Sequence, residues 1–345
     1  MDAAHLPSTR MIETISRERL AALLDAAAGR RIAVIGDAML DVYLRGDVDG
    51  ISPEAPVPVV RVTERKLALG GAANVAQNIT AIGAKCDMVC ALGDDAAGVL
   101  VRQMLHDVGA RTRTIVRIAR QTTTKTRVLA RSQQLVRYDE EDDADISGAD
   151  MENLVTAAIT ATDDADAVVL EDYNKGLLVP ALIGPVISRA QSRGIPVVVD
   201  PKYKNFFGYR GATIFKPNRR ELESALGAEV DLDHPEALPA TFERLGVEHL
   251  LLTLGEKGMA LLSSDGEIGR IPTTAREVYD VVGAGDTVTA YLATMLAAGG
   301  TPSEAAVIAN FAAGVEIGKL GAATVTTDEV IAAYDHFSES VSSGR

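Results

Sequence analysis

Tryptophan is absent from the 345 residues, aromatic residues make up 4%, and only two cysteines occur. Cys86 and Cys90 sit in an apolar run that reads as a strand, where cysteine acts as a small buried hydrophobe, so a disulfide framework or a thiolate metal site is not expected. Positive charge is scarce too: 34 Lys and Arg against 48 Asp and Glu give a formal net charge of −14. Lacking a basic face, the chain is not expected to bind nucleic acid or an anionic membrane, and an anionic substrate must be met by local cations. Long hydrophobic runs are missing: the N-terminus carries Asp2 and Glu13 without an apolar h-region, and the longest uncharged segment is broken by Gly299, Gly300 and Pro302. Neither a leader nor a membrane span is expected, and the chain reads as cytoplasmic. No stretch supplies the Gly-x-x-x-x-Gly-Lys-Ser/Thr phosphate loop, and the first strand–helix unit lacks the dinucleotide fingerprint.

What is present fits an α/β enzyme, with 47% hydrophobic residues, 24% charged residues and 30 glycines. Ser16 can cap a helix with Leu20, Leu23, Leu24 and Ala27 on one face, ending near Gly29; residues 1–30 read as an N-terminal helical extension. Residues 31–340 then alternate apolar strands with helices: Ile32–Ile35 before a helix from Ala72, Met88–Leu92 before Ala96–Val108, Ala167–Leu170 before Pro180–Arg193, then Pro196–Val199. That rhythm predicts a parallel sheet covered on both faces. Two stretches break it, about 42–66 with Pro53, Pro56 and Pro58 among alternating valines, and 112–138, rich in Thr, Val, Ile and Arg. Proline suits an edge strand, so both are assigned to a small separate sheet, a lid over a cleft. The acidic run Asp139–Asp145 reads as a solvated linker back to the core.

The string Asp280-Val-Val-Gly283-Ala284-Gly285-Asp286-Thr287 precedes an apolar helix. Gly283 and Gly285 let backbone approach a ligand, and the helix start aims unpaired N–H groups and a positive dipole end at it, which makes Gly283, Ala284 and Gly285 an anion hole. Asp286 in the first turn can accept a proton from a substrate hydroxyl, and the dipole is expected to lower its proton affinity. Val288 stands where a dinucleotide fingerprint needs its third glycine. Asp37 and Asp41 follow the first strand, where carboxylates can take hydrogen bonds from sugar hydroxyls or simply make a turn. Gly70-Gly71 and Asn74 open another helix. Asn218 and Glu221 have capping-box spacing, and Thr253, Gly255 and Gly258 have the look of a hairpin turn. Lys175, Lys202 and Arg137 are cations at strand ends or closing the lid, with Arg61, Lys66 and Arg127 as weaker candidates for a substrate phosphate.

Taken together, Asp-x-x-Gly-Ala-Gly-Asp, the Asp37/Asp41 and Gly70-Gly71-x-x-Asn74 segments, Asn218-x-x-Glu221 and Thr253-x-Gly255-x-x-Gly258 resemble the ribokinase-like carbohydrate kinases. That resemblance implies a three-layer α/β/α core with a small β-sheet lid, ATP and Mg2+, and in some members a monovalent cation. It implies Asp286 as base, sugar contacts at Asp37, Asp41, Gly70, Gly71 and Asn74, nucleotide contacts at Asn218, Thr253, Gly255, Gly258 and Asn310, and Mg2+ at Glu221 through water. Lys202 is a further phosphate candidate.

The string Ile51–Val60, with Gly70–Asn78, Asp172-Tyr173, Lys175-Gly176, Asp200-Pro201-Lys202 and Gly318–Gly321, is similar to kinases of D-glycero-β-D-manno-heptose 7-phosphate in lipopolysaccharide core synthesis. It implies transfer to O1, giving the 1,7-bisphosphate, with Arg137, Asp172 and Lys175 among the sugar contacts. Many such enzymes carry a fused nucleotidyltransferase domain; the chain ends at Arg345, so a separate adenylyltransferase is expected to act downstream. A homodimer through apolar lid faces is also expected. The alternatives are a kinase of another acceptor, such as a fructose phosphate or ribose, and a non-catalytic sugar-binding regulator.

Overall fold

The computed structural model describes residues 9–11, 15–131, 133–233, 238–275, 279–319 and 321–343. The first half of the chain contains β1 (Thr9–Met11), α1 (Arg17–Ala27), β2 (Arg31–Gly36), β3 (Ala38–Ile51), β4 (Pro58–Gly71), α2 (Ala72–Ala81), β5 (Lys85–Val89), β6 (Ala91–Gly93), α3 (Ala96–Asp107), β7 (Val116–Ile118), β8 (Thr124–Ala130), β9 (Gln133–Glu140) and α4 (Gly148–Asp163). The second half runs β10 (Ala167–Glu171), α5 (Pro180–Arg193), β11 (Val197–Asp200), β12 (Ile214–Phe215), α6 (Arg219–Leu226), α7 (Leu238–Leu245), β13 (His249–Thr253), β14 (Met259–Ser263), β15 (Ile268–Ile271), α8 (Ala284–Ala297), α9 (Pro302–Glu316) and α10 (Thr327–Ser343).

Among the described residues the main sheet has the order β1-β15-β14-β13-β12-β11-β10-β2-β5. Its middle, from β5 to β13, is parallel. The central strands read as unbroken apolar runs, such as Ala167-Val168-Val169-Leu170, because helices cover both faces. Helices α2, α8 and α9 pack on strands of the sheet, and α4 and α5 form a second helical layer against β2, β5 and β10. The three layers agree with the expected core. The sheet is mixed, though: β14 runs antiparallel to both β13 and β15. Only residues 254–258 separate β13 from β14, too short a link for the crossover that a parallel pair requires.

The N-terminal stretch is not an appendage. Ser16 accepts a hydrogen bond from the Arg19 N–H, and Leu20, Leu23, Leu24 and Ala27 of α1 are buried in the common core. Arg17 and Arg19 reach Asp335 and Glu304, and β1 adds an edge to the main sheet beside β15. Residues 1–8 and 12–14 of that stretch lie outside the described residues.

The small sheet has the order β4-β3-β8-β9. Pro58 begins the edge strand β4, while Pro53 and Pro56 fall in the turn between β3 and β4, the two places where a missing N–H costs the ladder nothing. Its bounds differ from those expected. The β3–β4 ladder extends from Ala38 opposite Gly71 to Ile51 opposite Pro58, whereas residues 112–123 stay with the body, where β7 pairs with β6. Ile115 and Ile118 are buried there, and that apolar contact keeps the segment off the outer sheet.

Strand β2 ends where side chains would not fit. A Cβ on Gly36 would stand 2.2 Å from the Glu171 carbonyl oxygen of neighbouring β10. Gly36→Ala is expected to lose about 1–3 kcal/mol through overpacking, measured as a lower urea midpoint; an unchanged midpoint would show that β2 and β10 can part without cost.

Candidate active site

The carboxyl ends of β2, β10, β11 and β12 meet the N-terminus of α8. Asp37, directly after β2, is buried, and its Oδ2 accepts from the N–H groups of Tyr173 (2.9 Å) and Lys175 (3.0 Å). Burial raises its proton affinity and those backbone bonds oppose the rise. Asp37 thus shapes the 172–177 loop that follows β10. At the end of β4, Gly71 has φ 58°, and a Cβ there would lie 2.4 Å from the Asp37 carbonyl oxygen. At Gly70 the same atom would come within 2.6 Å of Asp41 Oδ2. The pair of glycines therefore brings β4, α2 and both aspartates together at one point.

The two oxygens of Asp286 are held from different segments. Asn74 Nδ2 of α2 donates to Oδ2 at 2.7 Å, and the Tyr173 hydroxyl donates to Oδ1 at 2.8 Å. Gly283, with φ 96°, turns the chain into α8, so the Gly285 and Asp286 N–H groups fall in the first turn, which has no intrahelical acceptors to offer. The expected lowering of the Asp286 proton affinity is reversed. Burial pushes its pKa up to about 6, overriding the hydrogen bonds from Asn74 and Tyr173 that favour the charged form.

Glu171, Asp200 and Lys216 meet at this point and were not singled out as site residues from the sequence. Glu171, Asp200 and Asp286 are all buried, with carboxylate oxygens within 4.8 Å of one another. Lys216, also buried, sits 2.8 Å from Asp200 Oδ2. Burial works against the Lys216 charge, but Asp200 and Glu171 outweigh it and raise the ammonium's pKa. Among the described residues neither Glu171 oxygen has a hydrogen-bond partner, and burial, followed by repulsion from Asp200 and Asp286, holds its pKa well above the usual carboxylate range. A signal was available: Glu171 and Asp200 end β10 and β11 and Lys216 follows β12, at the sheet edge where α/β folds bind ligands. Glu316, in the last turn of α9, is a second buried carboxyl whose oxygens have no hydrogen-bond partner among the described residues; burial and the nearby Asp286 and Asp280 raise its pKa to about 8.

On the other side of Gly285 opens a cavity of about 510 Å3, lined by Thr253, Gly255, Gly258, Ala284, Gly285 and Asn310 among others. The Asn310 amide is tied to the Pro272 carbonyl at 2.9 Å. Asn218 and Glu221 form a complete capping box on α6, and Glu221 Oε1 also lies 2.5 Å from Lys202 Nζ, which stands over the Tyr173 ring. Lys202 is thereby linked to the loop beside Asp286. Asp41 pairs with Arg127 at 2.5 Å, both largely withdrawn from solvent.

Other candidates are placed differently. Asp172 is turned inward, accepting from the Asn174 N–H and the Tyr209 hydroxyl, each at 2.7 Å, so its oxygens serve the loop's own structure. Arg137 lies half exposed on the edge strand β9 beside Asp139. Arg61 pairs with Asp49 on the outer sheet, and Lys66 is exposed on β4. No helix among the described residues is long and apolar enough to cross a membrane.

Comparison with known proteins is specific. Residues 30–329 match the model of the pfkB family of carbohydrate kinases. The bifunctional protein HldE of Citrifermentans bemidjiense is 42% identical over 325 residues, which is 93% of this chain and 67% of that protein. The chain thus spans about two thirds of the length of the curated relatives it matches. Among solved structures, Arabidopsis thaliana ribokinase with ribose and ATP superposes with a TM-score of 0.70 at 21% identity, covering 89% of this chain and 98% of the other. Phosphofructokinase-2 of Escherichia coli in complex with potassium gives 0.73 at 18% identity, covering 90% and 99%. These two likenesses establish the ribokinase-like fold, and the family match establishes the kind of enzyme: the chain belongs to the pfkB family of carbohydrate kinases.

Proposed function

We propose that the protein transfers the γ-phosphoryl group of ATP to O1 of D-glycero-β-D-manno-heptose 7-phosphate, with Asp286 as the base. The observation that carries this reading is the position of Asp286 between the Asn74/Tyr173 side and the 510 Å3 cavity, at the start of α8. The acceptor is read from the Ile51–Val60 and Gly70–Asn78 strings, supported by the 42% identity to HldE. An adenylyltransferase acting on the product is the proposed downstream partner.

In this reading ATP lies in the cavity between the 253–258 turn and α9, with its terminal phosphate at the Gly283–Gly285 amides. Phosphoryl transfer passes through a loose transition state, so position and charge matter more than covalent work. Asp286 accepts the proton of the acceptor hydroxyl as that oxygen bonds to phosphorus. A pKa near 6 makes it a better base than an exposed aspartate while leaving it mostly ionised at neutral pH. The oxygen donors Glu171, Asp200 and Asp286, with Asp200 next to Gly285, fit Mg2+, and Glu221, held on Lys202, is read as acting on the ion through water. When bound, the ion supplies charge neutralisation at the β- and γ-phosphate oxygens. The outer sheet is read as the lid that excludes water.

An assay of ADP release with Mg-ATP tests the function: heptose 7-phosphate should turn over far faster than fructose 6-phosphate, ribose or no acceptor. Equal rates across that set would remove both the acceptor and the lid. Asp286→Asn should retain ATP binding yet lower kcat by about 10²–10⁴. In the native enzyme kcat/KM should fall as pH drops through about 6, because the protonated base is inactive. Tyr173→Phe removes a bond that favours the charged carboxylate and should move that limb upward; a limb that stays in place would separate Tyr173 from the base. Exposed Val48, Ile51, Val59, Val62, Val136 and Tyr138 give the outer sheet an apolar surface suited to pairing with a second copy. Light scattering is expected to return twice the 36.4 kDa chain mass, and a monomer at assay concentration would exclude the lid-to-lid dimer.

A further inference from the structure

Most of the cations near the acceptor side are each committed to one carboxylate, but two of them share one. Lys175 Nζ lies 2.8 Å from Glu141 Oε1, and Lys125 Nζ lies 3.2 Å from Glu141 Oε2, so a single carboxylate bridges two ammonium groups. Asp139 Oδ2 touches Lys125 at 2.8 Å. The lysine side chains are 15% and 14% exposed, withdrawn from bulk water without being sealed from it. Three separate segments meet here: Lys125 comes from β8, Glu141 from just beyond β9, and Lys175 from the loop after β10.

That loop also reaches the base. Tyr173 bonds to Asp286, and the N–H groups of Tyr173 and Lys175 are both fixed on Asp37 Oδ2. Two residues of chain span roughly 7 Å at most, so the backbone that carries Lys175 stays close to the backbone that carries Tyr173. Arg120 braces the same place: its guanidinium donates to the carbonyls of Ala144 (2.8 Å) and Lys175, so these bonds add no opposing carboxylate. Arg127, Lys202 and Lys216 are held by Asp41, Glu221 and Asp200. A carboxylate bridging two ammonium groups has the arrangement of a phosphate seat, which a dianion with three oxygens would fill with more charge and more acceptors.

We infer that Lys125 and Lys175 hold the acceptor's own phosphate, and that Glu141 occupies their seat until the substrate displaces it. This rests on the sugar-phosphate reading above. Glu141 follows β9 directly, within the 141–147 connection from the outer sheet to α4. Exchange of its carboxylate for a phosphate therefore frees the joint between lid and body as the substrate arrives. The acidic run then has a function: it keeps two lysines paired and oriented in an otherwise acidic protein.

The test compares heptose 7-phosphate with unphosphorylated heptose as acceptors in the native enzyme, Lys125→Met and Glu141→Gln. In Lys125→Met the preference for the phosphorylated acceptor, as a ratio of kcat/KM values, should fall about 10–100-fold, the effect of losing one charge-assisted contact. Glu141→Gln should lower KM for heptose 7-phosphate several-fold and leave KM for ATP in place, a gain that a misfolded variant could not produce. An unaltered preference in Lys125→Met, or a higher KM in Glu141→Gln, overturns the seat while leaving the kinase reading intact. Should the native enzyme show no preference for the phosphorylated sugar, the acceptor reading itself fails first.

Discussion

A carboxylate kept out of water at the start of a helix is the constraint from which the rest of the structure follows. Asp286 is only 5% exposed, and a buried charge of that kind must be met by donors or it takes up a proton. Asn74, Tyr173 and Lys216 supply that environment from three parts of the chain. Each of them depends in turn on a local device: the Gly70-Gly71 turn for Asn74, the Asp37-bound loop for Tyr173, and Asp200 for Lys216. The close fit of Gly36 and Gly71 against neighbouring backbone lets these devices approach one another.

The balance of charge at this point is unusual. Among the described residues, Lys216 touches this group through Asp200 while Lys202 acts from farther out, and neither Glu171 oxygen has a hydrogen-bond partner. Three ionised carboxylates in so dry a space would repel strongly, so burial and mutual repulsion raise the proton affinity of both Glu171 and Asp286. The helix dipole at α8 opposes this and loses, because a dipole end counts for about half a charge whereas desolvation acts on the whole one. Further out, the Lys125–Glu141–Lys175 cluster is only partly withdrawn from water, and there each charge has an opposite charge in contact.

Much of the architecture was legible beforehand. Ser16, Pro180 and the buried runs around Ile32–Ile35 and Val168–Leu170 state helix starts and parallel strands through local chemistry, and the structure has them there. The misplacement of residues 112–123 has a physical cause. Their β-forming composition suits either sheet, and the choice was made by burial of Ile115 and Ile118 against the body. Likewise, the reversed direction of β14 follows from the length of a turn and not from the composition of the strand.

The segments around Asp37, Gly70, Asn218, Thr253 and Asp286 could be picked out because glycines, caps and strand ends are local features written in neighbouring residues. What a local reading could not supply was the company each side chain keeps. Asp172 and Tyr173 are adjacent, yet one turns inward to Tyr209 and the other reaches Asp286. The proton affinity of Asp286, the orphaned Glu171 and the bridging Glu141 all arise from groups tens to hundreds of residues apart. Sequence by itself determined the elements and the kind of chemistry, since both depend on residue type and short spacing. Tertiary structure alone decided which charges are dry and which are paired, because desolvation and Coulomb energy depend on distances through space.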